Sequence, residues 1–598
     1  MEAAMKRRRG TETEQGCLRA WAAHSQALVG RWTTARCGSE ERQARRQLRD
    51  EFRELLLNIR GLPAALPALP LELTVLYNSL LFTVGASDSV IKGEAEGIRQ
   101  GLLRVLEACG ACGEDLGMEE LWEKVLQEVT MEKLQAPLHR LGALQAAWWL
   151  AARRLGSVAG LFQLLSTAED PGRAHCSEGQ NEILSMIKAW QVPPEEASLP
   201  LVQSAKDLKE ILCTAAAFLQ GLQELEAGNF PAALSLLQEA AGGFCSKNIL
   251  AQIYTCLGCC AQQMGKPQTA LQHLKRALQV DFQCLPALSH VAAVYRELGE
   301  TDVELQALTL LYEALRKNPP AAAASSSPYL LMRTELLVYT PVLTSLLRHR
   351  HPSEVKYLLA QRCLQDGRVA DAVEHYLDFL SLLQEQQVLR VEERLEQTES
   401  SLPVAELAGG LLSQKKESLC CLAWRAAGYL QQGWAWAKLG ESKEAVTQFT
   451  RCLSDLLRVQ LHGSGVKRTE NLQPEVEVLQ KIRLLSLIGR GTQFLELGRN
   501  KEALLDFQHS LQISPGDPAA ASYLVQALWK LNRKQEAAAQ WQKFSQSSPG
   551  ENGQQPGQGR PLPLYLASCL EQVVFPHSEP LARSIQDFLG AAAQDTPS

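Results

Sequence analysis

Apolar residues recur along this chain at spacings of three and four. Leu222, Leu225, Leu234, Leu236 and Leu237 show the pattern, as do Leu504, Leu505 and Leu511. At about 3.6 residues per turn, such residues share one face of a helix. Period-two alternation, the mark of a half-buried strand, is nearly absent, so the chain is expected to be all-α. Proline clusters break the helical pattern. GLPAALPALP at 61–70 holds three prolines, and Pro193-Pro194 and the stretches 317–328, 461–475 and 546–563 are further stops. The longest uncharged apolar run, Leu141 to Ala152, has twelve residues. A membrane span needs about 20, so a buried core helix is the better reading.

A longer period underlies the helical one. Residues 251–284 read AQIYTCLGCCAQQMGKPQTALQHLKRALQVDFQC, and residues 484–517 read LLSLIGRGTQFLELGRNKEALLDFQHSLQISPGD. Both place Gly, a second Gly seven residues later, then Ala five later. This is the tetratricopeptide spacing, in which two helices form a hairpin and hairpins stack. Seven units are expected, starting at 214, 251, 285, 353, 426, 484 and 518. Small residues at positions 8 and 20 let the two helices approach. These are Gly221 with Ala233, Gly258 with Ala270, Gly433 with Ala445 and Gly491 with Ala503; the fourth unit has Ala372. Position 15 turns the chain between helices, and there a left-handed residue costs little only if it is Gly. Gly228, Gly265, Gly299, Gly367, Gly440 and Gly498 occupy it, with Asn532 in the seventh unit. Tyr254 fills a bulky position and Pro515 ends the sixth unit. Glu304 and Val525 sit where small residues belong, so the units at 285 and 518 fit less well.

The expected organisation follows. Residues 1–14 form a disordered tail and 15–200 an N-terminal helical domain. Residues 201–318 hold repeats 1–3, 319–425 hold repeat 4 with irregular insertions, and 426–545 hold repeats 5–7. A linker spans 546–563, and helices close the chain at 564–598.

Stacked hairpins present a groove that takes peptides or helices from partners. Chaperone-tail clamps carry Lys at position 5 and Asn at position 9. Here those positions read Phe218 and Leu222, Thr255 and Cys259, Tyr357 and Gln361, Leu430 and Trp434, Ile488 and Thr492. No unit has the clamp pair. Leu430 and Trp434 are the candidate partner groove, while Trp436 reads as core.

Composition narrows the function further. Lys and Arg total 60 against 66 Asp and Glu, a net charge of -6, which argues against bulk nucleic-acid binding. The first 60 residues carry +5, leaving -11 for the rest. Lys6-Arg7-Arg8-Arg9 precedes Gly-Thr-Glu-Thr-Glu rather than an apolar run. That argues against a secretion signal; the basic run reads as a solvated tail, with nuclear import as the alternative. The 16 cysteines are therefore read as free thiols in a reducing compartment. Cys109/Cys112 and Cys256/Cys259 are each CxxC, but too far apart in sequence for a zinc ribbon. His349 and His351 lie in RHRHP and read as a solvated turn. No phosphate loop and no HExxH motif is present, and Gly489-Arg490-Gly491 lacks a third glycine. No catalytic residue, metal site or cofactor is expected.

GLPAALPALPLELTV at 61–75 resembles the Fanconi anemia group G family. The likeness continues in GLQELEAGNFPAALSLLQEAA (221–241), CLGCCAQQMGKPQTAL (256–271), CLQDGRVADAVEHYLDFL (363–380) and PLPLYLASCLEQV (561–573). It implies a non-enzymatic adaptor of the nuclear Fanconi core complex, with a cytoplasmic pool compatible with that role. Its implied task is to support monoubiquitination in cross-link repair. The implied partners are the group A protein at residues 1–200, the group F protein on the repeats, and recombination proteins. No membrane contact and no direct sequence-specific nucleic-acid contact is implied. The N-terminus departs from the family by having no Ser before Ser25, and the sequence leaves the role of phosphorylation in that tail open. The alternative is a repeat adaptor outside DNA repair.

Overall fold

A computed structural model describes residues 2–35, 41–86, 95–129, 131–167, 182–195, 198–317, 330–338, 347, 350–397, 407–463, 473–546 and 579–594. Every regular element among them is a helix. The chain divides into two compact units. One comprises Met1–Gly299 and Asn318–His349, the other Glu300–Lys317 and Arg350–Ser598.

The first unit begins with α1 (Glu2–Ala35), α2 (Glu41–Arg60), α3 (Leu69–Ala86), α4 (Ala95–Ala108), α5 (Met118–Glu128), α6 (Glu132–Ala151), α7 (Leu155–Thr167) and α8 (Glu182–Ala189). The residues expected as a disordered tail thus begin α1. Helix α6 is the centre: from Pro137 to Leu150 every residue is buried. That is why its sequence is apolar on all sides, and it explains the twelve-residue run. Beside it, Trp32 meets Phe82 edge-on at 5.2 Å, and Phe52 stacks on Phe82 at 5.4 Å. The Glu72 carboxylate, 1% exposed, lies 3.2 Å from Arg60 Nε and 2.8 Å from Arg104 Nε. One buried acid thereby ties α2, α3 and α4 together.

Repeat hairpins follow without a break in the core. They are α9 (Ala205–Glu226) with α10 (Phe230–Ala241), and α11 (Lys247–Gln263) with α12 (Pro267–Val280); α13 (Leu285–Leu298) closes the series. One apolar cluster runs from Leu28 through Cys260 and on to Leu347. No break in packing therefore falls at residue 200, where the domain boundary was expected. Helix starts are signalled locally. The Ser204 hydroxyl accepts the Asp207 amide at 3.0 Å, and Pro286 stands at the first turn of α13.

A later segment returns to this unit. Leu331 and Met332 are fully buried, and both of their amides donate to Gln203 Oε1, at 3.0 and 2.9 Å. The short α15 (Thr334–Val338) packs on α6 and α9. Part of the expected insertion at 319–425 is therefore core of the first unit.

The second unit opens with α14 (Thr301–Lys317), so the boundary falls inside the third expected repeat. Glu304 helps join α14 to this unit. It stands at position 20, where other units have Ala. Its fully buried carboxylate accepts from Arg362 Nε at 2.7 Å on α16 (Pro352–Gln365), so α14 packs against the fourth hairpin. The remainder is α17 (Val369–Gln397), α18 (Leu407–Lys438), α19 (Ser442–Gly463), α20 (Gln473–Glu496), α21 (Asn500–Ile513), α22 (Pro518–Lys530), α23 (Lys534–Gln546) and α24 (Glu579–Gln594). Most of the ambiguous stretch 386–418 lengthens α17 and α18 rather than forming an irregular insertion. Much of the expected linker and the start of the C-terminal helices lie outside the described residues. Helix α24 packs on the last hairpin through Ile585, fully buried, and through Phe588 against Trp529.

Candidate functional site

The repeat positions are built from the backbone outward. Gly228, Gly265, Gly299, Gly367, Gly440 and Gly498 have φ between 70 and 84°, and Asn532 has φ 62°. All seven expected turns thus use the left-handed region, where a β-carbon is strained. At Gly228 nothing lies within 4 Å of an added β-carbon. Conformation, not space, selects glycine there.

At position 8 the reverse holds. A β-carbon on Gly221 would stand 2.9 Å from Leu237 Cγ, and one on Gly258 2.7 Å from Leu274 Cγ. On Gly433 it would stand 2.7 Å from Phe449 Cε1, and on Gly491 2.6 Å from Phe507 Cε1. The facing partner is thus the bulky residue at position 24 of the same hairpin, not the position-20 alanine expected from sequence. Ala233, Ala270, Ala372, Ala445, Ala503 and Ala537 are nonetheless fully buried. Tyr254 is half-buried between two apolar clusters. Pro515 lies in the turn between α21 and α22.

Gly428 and Gly489 are close-contact glycines outside the repeat register. Gly428 meets Phe379 Cε1 at 2.6 Å, and Gly489 meets Phe449 Cζ at 2.6 Å from its β-carbon position. Each lies on the first helix of one hairpin and receives a ring from the hairpin before it. The available signal was a Gly inside a helix facing an aromatic one repeat earlier.

The candidate groove pair needs correction. Leu430 is 1% exposed and belongs to the interior. Trp434 is half-buried with its ring edge-on to Phe449 at 5.5 Å. Trp436 is half-buried as well.

Charged groups near the interior are held in pairs. Arg490 makes a two-pronged bond to Asp506, at 2.8 and 2.6 Å. Arg425 Nε reaches Asp455 at 2.7 Å. Each pair joins two helices, α20 with α21 and α18 with α19. His351 caps α16, its Nδ1 accepting the Ser353 amide at 3.2 Å. His349 lies outside the described residues. Cys256, Cys259, Cys260 and Cys284 are buried. Burial pushes the Cys260 thiol up to about 11 and Cys259 to about 12, and it holds Cys256 well above the ordinary thiol range. Such thiols are packing groups rather than nucleophiles. Cys109 and Cys112 are exposed. No cluster of three or more His, Cys, Asp or Glu among the described residues could hold a metal ion. No helix among them is long and apolar enough to cross a membrane.

Comparisons with known proteins place the sequence. Residues 18–201 match the family described as Fanconi anemia group G protein N-terminal domain, and residues 423–559 match the bacterial transcriptional activator domain. The Fanconi anemia group G protein homolog of Mus musculus is 36% identical over 570 residues, covering 88% of this chain and 89% of the relative. Among solved structures, a tetratricopeptide repeat protein from Parabacteroides merdae is 16% identical, covering 56% of this chain and 94% of its own, with a TM-score of 0.26. A signal-transduction ATPase with a tetratricopeptide repeat sensor from Pyrococcus horikoshii is 11% identical, covering 80% and 72%, with a TM-score of 0.34.

Proposed function

We propose, from the premise that this chain belongs to the Fanconi anemia group G protein family, that it is a non-enzymatic scaffold subunit of the nuclear Fanconi core complex. In that role it supports monoubiquitination signalling during interstrand cross-link repair. The observation that carries the reading is the mouse relative, which spans nearly the whole of both chains. The chemistry of the interior supports it. Buried carboxylates such as Glu72 and Glu304 are spent on ion pairs that lock helices, and the thiols of α11 are packed away. What remains is a set of helix faces suited to binding other proteins.

The expected partners are the group A protein on the N-terminal helices and the group F protein on the repeats, with recombination proteins as further candidates. The alternative is a repeat adaptor outside repair. The test is purification of the full-length tagged chain from nuclear extract, with mass spectrometry of its companions. Recovery of the group A and group F proteins supports the core-complex reading. Their absence beside another coherent set of partners favours the alternative. A cut at residue 200 would not divide the two interfaces cleanly, because one core continues through it. Surface substitutions on the intact chain are the better tool.

A further inference from the structure

A groove of about 500 Å³ opens between α14 and α17, with α16 as its floor. All three helices belong to the second unit. Its walls are the second helices of two hairpins, so it lies on a different face from Leu430 and Trp434. Its volume is within the about 300–1,000 Å³ typical of binding clefts. The floor is apolar: Leu305, Leu359 and Cys363 are each under a tenth exposed. On one wall Leu310 is 47% exposed, an aliphatic side chain left in water at the lip.

The charges around the groove do not balance. Asp302 is paired with Arg368, which also holds Asp366 at 2.9 Å. Two further cations on α16 are already committed: Arg362 bonds Glu304 and Thr301, and Lys356 is nearly buried. Its Nζ donates to Asp378 at 2.7 Å and sits 4.4 Å from the centre of the Tyr312 ring. His375 lies 3.4 Å from that ammonium; burial and the Lys356 charge lower its pKa, against the opposing pull of Asp378, Asp371 and Glu374. Asp371, exposed on the opposite wall, pairs with no cation among the described residues. The groove therefore offers an apolar slot beside one exposed carboxylate, in the first turn of α17, that has no ion-pair partner among the described residues. Helix-lined slots of this kind take the apolar face of an amphipathic segment, and a free carboxylate selects the sign of its flank.

We propose that this groove docks an amphipathic segment of a partner protein, which seats an aliphatic side chain against Leu310 and sets a Lys or Arg against Asp371. The proposal deepens the scaffold reading by assigning it a partner surface.

The probe is a fluorescein-labelled alanine-based helix with two leucines one turn apart and two lysines beside them. A second probe carries glutamates in place of the lysines. Binding to the full chain is read by fluorescence anisotropy. The basic probe should bind saturably and the acidic one should not. Asp371→Lys should weaken the basic probe by about tenfold or more, because a like charge replaces an opposite one, and should improve the acidic probe. Leu310→Asp should abolish binding, whereas Leu505→Asp, an exposed leucine on α21, should leave it unchanged. Equal binding of both probes, no saturable binding, or indifference to Leu310→Asp and Asp371→Lys would overturn the proposal. So would a self-associating chain that becomes monomeric with Leu310→Asp, which would make a second copy the occupant. Recovery of group A and group F proteins is measured separately. Its persistence alongside a failed probe experiment would sink the groove proposal alone.

Discussion

The ring of Phe449 lies against the bare Cα of Gly489, 2.6 Å from where a β-carbon on that glycine would stand. The same ring comes within 2.7 Å of the β-carbon position on Gly433. Real β-carbons do not approach other atoms so closely. One phenylalanine on α19 thus requires glycine on both α18 and α20, and it links a hairpin to its successor.

Gly489→Ala should therefore destabilise the protein. In an exposed helix the change would stabilise by about 0.5–1 kcal/mol. Here the overpacking cost of about 1–3 kcal/mol outweighs that gain. Phe449→Ala should cost about 3–5 kcal/mol through the cavity it leaves. The pair together should cost less than the sum of the two, because the added methyl then has room. Urea unfolding of the four proteins checks this, and strict additivity would count against the contact. The longer Gly258→Arg and Gly491→Arg changes should unfold one hairpin and reduce partner recovery.

The turns make a separable prediction. Gly228→Val should destabilise by about 1–2 kcal/mol through its left-handed φ, although nothing crowds the site. Asn532→Gly should be neutral or slightly stabilising, whereas Asn532→Val should destabilise like Gly228→Val. Melting temperatures of the three variants decide the matter. An unchanged value for both valine variants would refute the turn assignment.

Glu304 and Arg362 should behave as a coupled pair. Arg362→Met leaves a fully buried carboxylate without its partner and should cost about 3–5 kcal/mol. Replacing both, Glu304→Ala with Arg362→Met, should recover most of that loss and return position 20 to the small residue of the other repeats. Chemical denaturation of the single and double variants tests this coupling.

His139 predicts a pH dependence. It is buried in α6, and its Nδ1 accepts from Trp190 Nε1 at 3.3 Å. Burial lowers its pKa below the usual 6.5. As pH falls through 6.5 the unfolded chain therefore takes up a proton before the folded one does. Stability should be full above that value and should drop as pH falls from it toward the folded-state pKa. His139→Gln should reduce the difference in urea midpoint between about pH 7.5 and about pH 5.5. It should not remove all of it, since burial also lowers His273 and His375. An undiminished slope would show that His139 does not titrate as described.

Thiol reactivity offers a direct check on the cysteines. In the native protein, iodoacetamide should label Cys17, Cys109 and Cys112 rapidly and leave Cys256, Cys259, Cys260 and Cys284 unlabelled, because the last four are buried. Peptide mapping by mass spectrometry reads this out. Rapid labelling of Cys256 or Cys259 would contradict the packing of α11.

The sequence by itself determined everything that is local. Helical periodicity is a property of neighbouring residues, so the all-α class was legible. Gly or Asn at position 15 reports a left-handed φ that the residue itself must adopt, so all seven turns were legible. The family resemblance was legible for the same reason, because it rests on contiguous strings. Tertiary structure alone decided what depends on residues far apart. Gly489 counted for nothing in sequence because its partner, Phe449, lies 40 residues earlier. Glu304 looked like a defective repeat position until its carboxylate met Arg362, a contact that joins α14 to α16 of the second unit. The buried segment around Leu331 looked like an insertion because Gln203, which holds it, lies 128 residues earlier, just before α9. Leu430 looked like a groove residue because helix periodicity says that a face is apolar but not what covers it. Side-chain volume, ion pairing and burial are relations between elements, and a one-dimensional pattern carries them only where the partners repeat with the same period.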